Sequence, residues 1–355
     1  MENFHEFLND SKENWMISDL HIHSRFSQAC SKNIDIPNLV KWAKIKGIDL
    51  LGTGDFSHPV WIKEIKENLE DNGKGIYHYK FDEDRNKFRF VITGEISFIY
   101  TQEKGRRIHL VLLIPSIEIA EKINDYLDTL GRRDYDGRPI FGVSCRDFVK
   151  KLKEISEDIE VIPAHIWTPW FGLFGSMSGF DSIKEAFQDQ ASNIHAIETG
   201  ISSDPEMNWK IKEIADRNIS ILSFSDSHSF WPHRLGREAT IFRKTDSFKE
   251  LIRQIRENDF IGTIEADPNY GKYHWDGHRN CDFSCGPKET KKLNGLCPKC
   301  GKPLTKGVEY RVEEIAENQE GFRPENSKPY FKLLPLHEII SFVVGVSMQS
   351  KKVWE

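Results

Sequence analysis

Two short motifs in the first 230 residues place metal-binding side chains at alternate positions. Ser18-Asp19-Leu20-His21-Ile22-His23-Ser24 carries two imidazoles at i and i+2, and Ser225-Asp226-Ser227-His228 repeats the spacing with a carboxylate and an imidazole. Alternate side chains of a β-strand share a face, so each pair can point into one site. Nitrogen and oxygen ligands without thiolate suit zinc, manganese or iron in hydrolytic chemistry.

Similar residues follow most of the apolar, β-branched runs of the first 265 residues. The runs cover 15–20, 48–52, 88–93, 108–114, 159–164, 194–197 and 219–224. The residues that follow them are His21, His23, Asp55, His58, Glu95, His165, Glu198, Asp226 and His228. Segments of helical spacing separate the runs, which predicts a parallel α/β barrel or a doubly wound sheet. Barrel enzymes place their chemistry at the C-terminal ends of the strands, so we expect a multinuclear metal site there, with Glu95 bridging two ions.

Each of these residues also has a structural interpretation. Asp226-Ser227-His228 alone is compatible with a capped turn, and the segment Gly54–Pro59 could be a turn into the next helix. His109 begins an apolar run instead of following one, so it is either an additional ligand or a packed histidine. The recurrence of acid or imidazole after nearly every run favours the metal site.

A cysteine cluster follows a change of composition after Asp267. Cys281 and Cys285 are separated by three residues, and Cys297 and Cys300 by two. Four thiolates select zinc in tetrahedral geometry, and a closed site of this kind is structural. We therefore predict a small zinc-binding domain over 269–355 after a barrel over 1–268; the alternative is four buried free thiols.

Composition limits the partners. The 355 residues carry 49 Lys and Arg against 55 Asp and Glu, a net charge of −6, so a nucleic acid would have to meet a local basic patch. Such a patch surrounds the cysteines, and exposed aromatics after His165 could stack on an unpaired nucleotide; the alternatives are a solvated surface and a hydrophobic lid. The candidate DNA contacts are Trp167, Trp170, Phe171, Arg234, Lys291 and Lys292. No apolar run approaches the roughly 18–20 residues of a membrane span, and we expect a cytoplasmic, nucleoid-associated protein without a membrane partner.

The motifs resemble those of the PHP (polymerase and histidinol phosphatase) superfamily. The resemblance lies in Asp19–Ser24, Gly52–Pro59, Thr93-Gly94-Glu95, Pro163-Ala164-His165 and Ser225–His228. More narrowly, the chain resembles the endonuclease Q family of DNA-repair enzymes. The narrower resemblance is carried by Asp55–Pro59, Trp167–Phe171, Glu198-Thr199-Gly200 with Asp204-Pro205, and Gly236–Thr240.

This resemblance implies a distorted (β/α)7 barrel with a C-terminal zinc domain. It also implies cleavage 5′ to deaminated bases (uracil, hypoxanthine, xanthine) and abasic sites in DNA. Phe56 stands where many PHP proteins have histidine, so either Asp55 or His58 would supply that ligand. We expect two catalytic divalent ions (zinc, manganese or magnesium) and one structural zinc. Asp226, Glu95, Glu198 and Arg237 are the candidates for direct roles in catalysis.

Two other functions compete with this interpretation. One is a PHP-type phosphoesterase or exonuclease acting on small phosphoesters or nucleic-acid ends, which would need neither a zinc domain nor a basic surface. The other is a degenerate, non-enzymatic scaffold, against which the many ligand-type residues argue. The sequence defines no contact with a replication clamp.

Overall fold

A mixed β-sheet dominates the fold. The computed structural model describes residues 14–84, 87–348 and 350–354. Its strands are β1 Trp15–Asp19, β2 Leu50–Gly52, β3 Leu69–Asp71, β4 Tyr77–Tyr79, β5 Arg89–Gln102, β6 Lys104–Ile114, β7 Ile140–Phe141, β8 Glu160–Pro163, β9 Ala196–Glu198, β10 Ser220–Leu222, β11 Ala239–Arg243, β12 Gly262–Glu265, β13 Asp276–His278, β14 Phe283–Cys285 and β15 Tyr330–Lys332. Eleven of them form one sheet, and β9–β10 and β13–β14 form two separate pairs.

Helices connect many of these strands. They are α1 Ile36–Lys46, α2 Pro59–Asn68, α3 Ile117–Leu130, α4 Cys145–Ile155, α5 Ile183–Phe187, α6 Pro205–Trp209, α7 Lys212–Asp216, α8 Phe248–Arg256, α9 Pro287–Lys292, α10 Val308–Ile315, α11 Leu336–Val344 and α12 Lys351–Trp354. Three short 3₁₀ helices cover Gln188–Asn193, Pro268–Tyr270 and Arg279–Cys281. The predicted mixed α/β architecture is therefore confirmed.

Local sequence signals set the helix ends. At α1, the Asp35 side chain accepts a hydrogen bond from the Asn38 backbone N–H at 2.8 Å, and Gly47 ends the helix with a φ of 85°. Ile36, Leu39, Val40 and Ala43 are buried, at the spacing of one helix face. This face packs into the main apolar core, together with strand residues such as Leu51 and Phe90.

The strands are linked in a series that returns on itself. In the large sheet, β11, β1, β2, β5, β6 and β8 are successive neighbours. The Ile166 N–H donates to Glu198 O beside β9 at 3.0 Å, and the Ser223 N–H after β10 donates to Thr240 Oγ1 of β11 at 3.0 Å. One inner apolar cluster takes side chains from all eight of these strands, among them Met16, Leu50, Val91, Val111, Ile162, Ala196, Leu222 and Phe242.

Strict strand–helix alternation is wrong at several places. β5 and β6 pair antiparallel from Ile92↔Ile114 to Gln102↔Lys104, with only Glu103 between them, at a φ of 61°. Chains joined by such a tight turn can only pair antiparallel. β11 lies antiparallel to β1, and β3 and β4 form another antiparallel hairpin, which precedes β5. The neighbours β1, β2 and β5 are parallel; β1 and β2 end side by side, whereas β5 continues past them to Gln102.

The C-terminal region packs against the preceding part of the chain. β15 pairs parallel with β12, and Val308 and Val312 of α10 belong to the main apolar core. The Arg311 guanidinium donates to the carbonyl oxygens of Phe174 and Phe180 at 3.0 and 3.1 Å. The division into 1–268 and 269–355 stays a prediction, and residues 1–13 and 355 lie outside the described part. None of the described helices is long and apolar enough to span a bilayer.

Candidate metal centre

The two histidines after β1 are held beside the loop that follows β10. Ile22 forms a parallel bridge with Ser227, and the His23 N–H donates to Ser227 O at 2.9 Å. The Asp19 carboxylate adds a second tie, because it accepts hydrogen bonds from Ser225 N and Ser225 Oγ. The motifs at opposite ends of the first 230 residues therefore meet at one place.

Seven predicted residues form three overlapping groups of ligand atoms. In each group the atoms lie within 4.8 Å of one another. The groups are His21–His23–Glu95, His23–Asp226–His228 and Glu95–His109–His165. His109, which the sequence left open between ligand and packing residue, is thus brought into the site.

Glu95 occupies the centre of this arrangement. Its Oε2 lies 3.4 Å from His23 Nε2 and 3.7 Å from His21 Nε2. Its Oε1 lies 2.8 Å from His109 Nδ1 and 3.1 Å from His165 Nε2. Each oxygen therefore faces a different pair of imidazoles.

The donor set fits divalent metal ions. The Nε2 of His21 is buried and lacks a hydrogen-bond partner among the described residues, while its Nδ1 lies 2.8 Å from Glu198 Oε1. A buried nitrogen without a partner is costly, and a bound ion would satisfy it. Imidazole and carboxylate ligands together suit zinc or manganese.

Glu198 and Asp55 orient the imidazoles. Glu198, fully buried, contacts His21 Nδ1 and accepts the His165 backbone N–H at 2.7 Å. Asp55 lies 3.0 Å from His23 Nδ1 and also accepts from Ser24 N, Ser24 Oγ and Ser27 Oγ. Carboxylates that hold the far nitrogen of a metal-binding histidine fix its tautomer and direction. The structure therefore assigns to both a positioning role, outside the three ligand groups.

His58 also lies outside the three ligand groups. Its ring stacks on Phe26 with centroids 4.0 Å apart, and its Nδ1 accepts the Val60 N–H at the start of α2. Asp55 contacts His23 and His58 caps a helix, so neither lies in the three ligand groups, and the choice between them as ligand stays a prediction.

Three residues at the site have a left-handed backbone conformation. Asp55, His165 and Asp226 have φ values of 44°, 29° and 47°, a region that residues other than glycine rarely adopt. Such conformations persist where the surroundings impose them, and they cluster at functional sites. All three residues lie in loops, two to four residues after the end of a strand.

Carboxylates determine the protonation of the site. Burial alone would lower the pKa of His21, but Glu198, Glu95 and Asp226 hold that pKa well above its usual value. Burial likewise opposes the charge of Glu95, yet His109, Arg138 and His21 keep the pKa of Glu95 well below its usual value. The site thus attracts positive charge, which a divalent ion would supply in place of protons.

Arg138 is a site residue that sequence reasoning did not find. Its Nη1 donates to Glu95 Oε2 at 3.1 Å. The preceding Gly137 allows this approach, because a Cβ there would collide with the Asp55 carboxylate. Arg138 does not follow a strand, so a search for ligand-type residues after apolar runs did not include it. The signal available in the sequence was its place in the glycine-containing turn Asp136-Gly137-Arg138.

Arg237 and Arg234 lie apart from the ligand groups. The Nε of Arg237 donates to both carboxylate oxygens of Glu238, at 2.8 and 2.9 Å. Arg234 is exposed and lines a separate pocket with Arg237. Arg237 therefore makes no contact with the ligand groups that would support the direct catalytic role predicted for it.

The aromatic segment after His165 is only partly available for contacts. Trp167 is fully buried, packs on Phe174, and donates from Nε1 to Asn208 Oδ1 at 2.8 Å. The prediction that Trp167 contacts DNA is wrong, because its ring and its N–H are both satisfied in the core. Trp170 is half-buried against Tyr273, and Phe171 packs on His109 with centroids 4.2 Å apart.

A second cluster of ligand atoms joins three of the four clustered cysteines to a histidine. It consists of His278, Cys281, Cys297 and Cys300. Cys285 is not part of it; its Sγ lies 3.3 Å from Thr290 Oγ1. In the β13–β14 hairpin, Cys285 pairs with Asp276 at the open end. His278 is at the other end of β13, next to the turn that contains Cys281. The four-cysteine prediction is therefore corrected to Cys3His, a set that also binds zinc tetrahedrally.

The predicted lysine contacts are on the surface near this cluster. Lys291 and Lys292 are exposed on α9, where they pair with Glu313 and Glu289 at 3.2 and 3.3 Å. Exposed pairs of this kind are weak, so both side chains can be recruited by another anion.

Comparisons with known proteins place the chain in a family. No family model matches it. The lesion-specific endonuclease PfuEndoQ from Pyrococcus furiosus superposes with a TM-score of 0.83 and 32% identity, over 96% of this chain and 80% of that one. The chain belongs to the endonuclease Q family.

A second solved structure agrees with this assignment, and two uncharacterised proteins are also similar to the chain. A structure of endonuclease Q in complex with a 27-mer duplex with an abasic lesion at the active site gives the same TM-score of 0.83 and 32% identity, over 96% of this chain and 82% of that one. An uncharacterised Methanocaldococcus jannaschii protein is 35% identical over 243 residues, 64% of this chain and 28% of its own length. An uncharacterised Bacillus subtilis protein is 27% identical over 350 residues, 93% of this chain and 83% of its own. The chain thus spans little more than a quarter of the length of the Methanocaldococcus jannaschii protein.

Proposed function

We propose that this chain is a metal-dependent DNA-repair endonuclease built on a distorted (β/α)7 barrel of the PHP type. The observation that carries the proposal is Glu95, whose two oxygens face different imidazole pairs. Membership of the endonuclease Q family supports DNA lesions as the substrate. The proposed lesions are uracil, hypoxanthine, xanthine and abasic sites, with cleavage on their 5′ side.

The three ligand groups give each residue a task. His21, His23 and Glu95 would hold one of two catalytic ions, and Glu95, His109 and His165 the other, with Asp226 and His228 completing the coordination on the side of His23. Divalent ions bound there supply an activated water and Lewis acidity toward the phosphodiester.

Other residues of the chain prepare the site for a phosphate. Glu198 and Asp55 fix the imidazoles, so little reorganisation accompanies the reaction. The Arg138 guanidinium, 22% exposed beside Glu95, can donate to a non-bridging phosphate oxygen as negative charge develops there. In the resting site it offsets the charge of Glu95.

A cleft beside the site has the composition of a nucleic-acid surface. It has a volume of about 420 Å³ and lies between Trp170 of the segment after His165 and the β13–β14 hairpin. Its lining includes the aromatic rings of Tyr273 and Trp275 and the cationic side chains of Lys272, Arg279 and Lys306. Rings stack on bases and cations meet phosphates, so this cleft is proposed to contact the damaged strand. A structural zinc at the Cys3His cluster would hold the hairpin in place.

The test is a cleavage assay on duplexes with one uracil, hypoxanthine, xanthine, abasic site or no lesion. The full chain with Mn²⁺ or Mg²⁺ is expected to make a single nick 5′ to the lesion, and Asp226→Asn is expected to abolish it. Asp158→Asn is the matched control, because Asp158 is exposed in the turn before β8, at the strand end opposite His165. Digestion from the strand ends irrespective of lesion would instead identify the phosphoesterase or exonuclease alternative.

A further inference from the structure

A second pocket lies on the far side of the loop that carries Asp226 and His228. It has a volume of about 400 Å³. The loop contributes Trp231, His233 and Arg234, and the C-terminal segment contributes His337 and Trp354. None of these residues belongs to the three ligand groups or to the Cys3His cluster.

Two polar groups in this pocket lack partners. The Nδ1 of His233 is buried without a hydrogen bond in the part of the chain that the structure describes. The Arg234 guanidinium has no carboxylate oxygen within 4.0 Å among the same residues, and Glu338 is the acidic residue in the lining. Arg237 is already held by Glu238. The free donors therefore favour an anionic ligand.

Aromatic rings form the walls around these donors. Trp231 and Trp354 are 40% and 37% exposed, with centroids 6.0 Å apart. His337 stacks on Trp354 with an interplanar angle of 21°. Exposed indole faces next to a free guanidinium match the two parts of a nucleotide, since rings stack on a base and the guanidinium binds a phosphate.

The pocket and the metal ligands are held on one short loop. The Asp19 carboxylate accepts hydrogen bonds from Ser225 N at 3.0 Å and from Gly236 N at 2.8 Å, so both ends of the loop are tied to the end of β1. Asp226 and His228 are on the first limb of this loop, and Trp231 to Arg234 follow within eight residues of Asp226. A nucleotide in the pocket would therefore be a neighbour of one in the metal site.

We propose that this pocket binds a nucleotide of the DNA strand adjacent to the cleaved phosphodiester. Arg234 and His233 donate to its phosphate, and the exposed indoles of Trp231 and Trp354 contact its base. The inference deepens the proposed function and rests on it, because it assigns the occupant to the DNA substrate. A free nucleotide shares this chemistry and is separated from DNA by the test.

The experiment measures duplex binding by fluorescence anisotropy in EDTA, with an abasic duplex and the full chain. Arg234→Ala is expected to weaken binding roughly tenfold and to reduce the slope of log affinity against log salt by about one, as loss of a phosphate contact does. Trp354→Ala is expected to weaken it roughly tenfold with the slope unchanged. Arg243→Ala is the matched control, because Arg243 is opposite Trp15 at the other end of β1.

Several outcomes separate this inference from the function on which it rests. Arg234→Lys should recover most of the affinity for the duplex. Such recovery is not expected if Arg234→Ala loses binding only because it is misfolded, and circular dichroism melts check the folding of each variant directly. Nicking of abasic duplex by the wild type, with unchanged binding in both variants, overturns the pocket and leaves the endonuclease intact. Arg234-dependent binding without any nicking supports the pocket and contradicts the function. Binding of dAMP that depends on Arg234, with duplex binding unaffected, overturns the assignment to DNA.

Discussion

Replacing Glu198 by glutamine tests whether this residue acts through the metal ligands. Glu198 is fully buried and serves two donors, His21 Nδ1 at 2.8 Å and the His165 backbone N–H at 2.7 Å. Glutamine has nearly the same shape but only one acceptor oxygen, so one donor would face its NH2 group. His21 and His165 belong to different ligand groups, and both groups are expected to weaken.

The magnitude follows from the hydrogen bonds. A hydrogen bond to a charged group contributes about 1.5–3 kcal/mol. At 1.4 kcal/mol per factor of ten, the loss of one of them weakens metal binding by roughly 10- to 100-fold. Replacing partners that orient metal-binding histidines typically costs about the same factor.

The assay measures the binding of Mn²⁺ to metal-stripped protein. Mn²⁺ is chosen because it prefers oxygen and nitrogen ligands over the thiolates of the Cys3His cluster. Glu160→Gln is the matched control: Glu160 is also fully buried and lies 3.0 Å from His195 Nδ1 and 2.7 Å from Arg256 Nε. Glu160 begins β8, whereas His165 follows it, so the control changes the opposite strand end. Wild-type Mn²⁺ affinity in Glu198→Gln, or an equal loss in Glu160→Gln, would refute the positioning role.

Three further predictions concern stability and the second cluster. Burial raises the pKa of Glu265 to about 8, above its value of roughly 4.3 in the unfolded chain. The free energy of unfolding should therefore decline as the pH rises from about 4.3 to about 8. Glu265→Gln should flatten this pH dependence of the melting temperature, and an unchanged profile would count against the burial of the acid. Trp167→Ala should lower the free energy of unfolding by about 3–5 kcal/mol in denaturant melts, whereas Trp170→Ala should mainly weaken duplex binding; the reverse pattern would contradict the burial argument. Elemental analysis should show zinc lost in Cys297→Ser and retained in Cys285→Ser, and zinc loss in both would restore the four-cysteine site.

The strand ends were the most predictable part of the site. His21, His23, Glu95, His165 and Asp226 each follow an apolar run, and the structure brings them together. This works because the position of a residue at the carboxyl end of a buried strand is fixed by the local pattern alone. The segments of helical spacing between the runs were predictable for the same reason; two of them form α1 and α3.

Roles that depend on residues distant in sequence were less predictable. His278 joins the cysteines through the turn of a hairpin, outside any pair spacing, and Arg138 enters the site from a loop. Trp167 has the composition expected of an exposed stacking residue, but Asn208, 41 residues away, satisfies its N–H in the core. The β5–β6 hairpin was missed because periodicity shows strands without showing how they pair.

Metal add-back to stripped protein tests the central claim most directly. Single-turnover nicking of an abasic duplex would be followed while Mn²⁺ is titrated in, together with the metal bound per chain. The proposed centre predicts no nicking by the stripped protein and a rate that rises in step with occupancy of the His–carboxylate site, in the wild type but not in Asp226→Asn. Nicking at the full rate by protein shown to be metal-free, or filling of the site without any nicking, would contradict it.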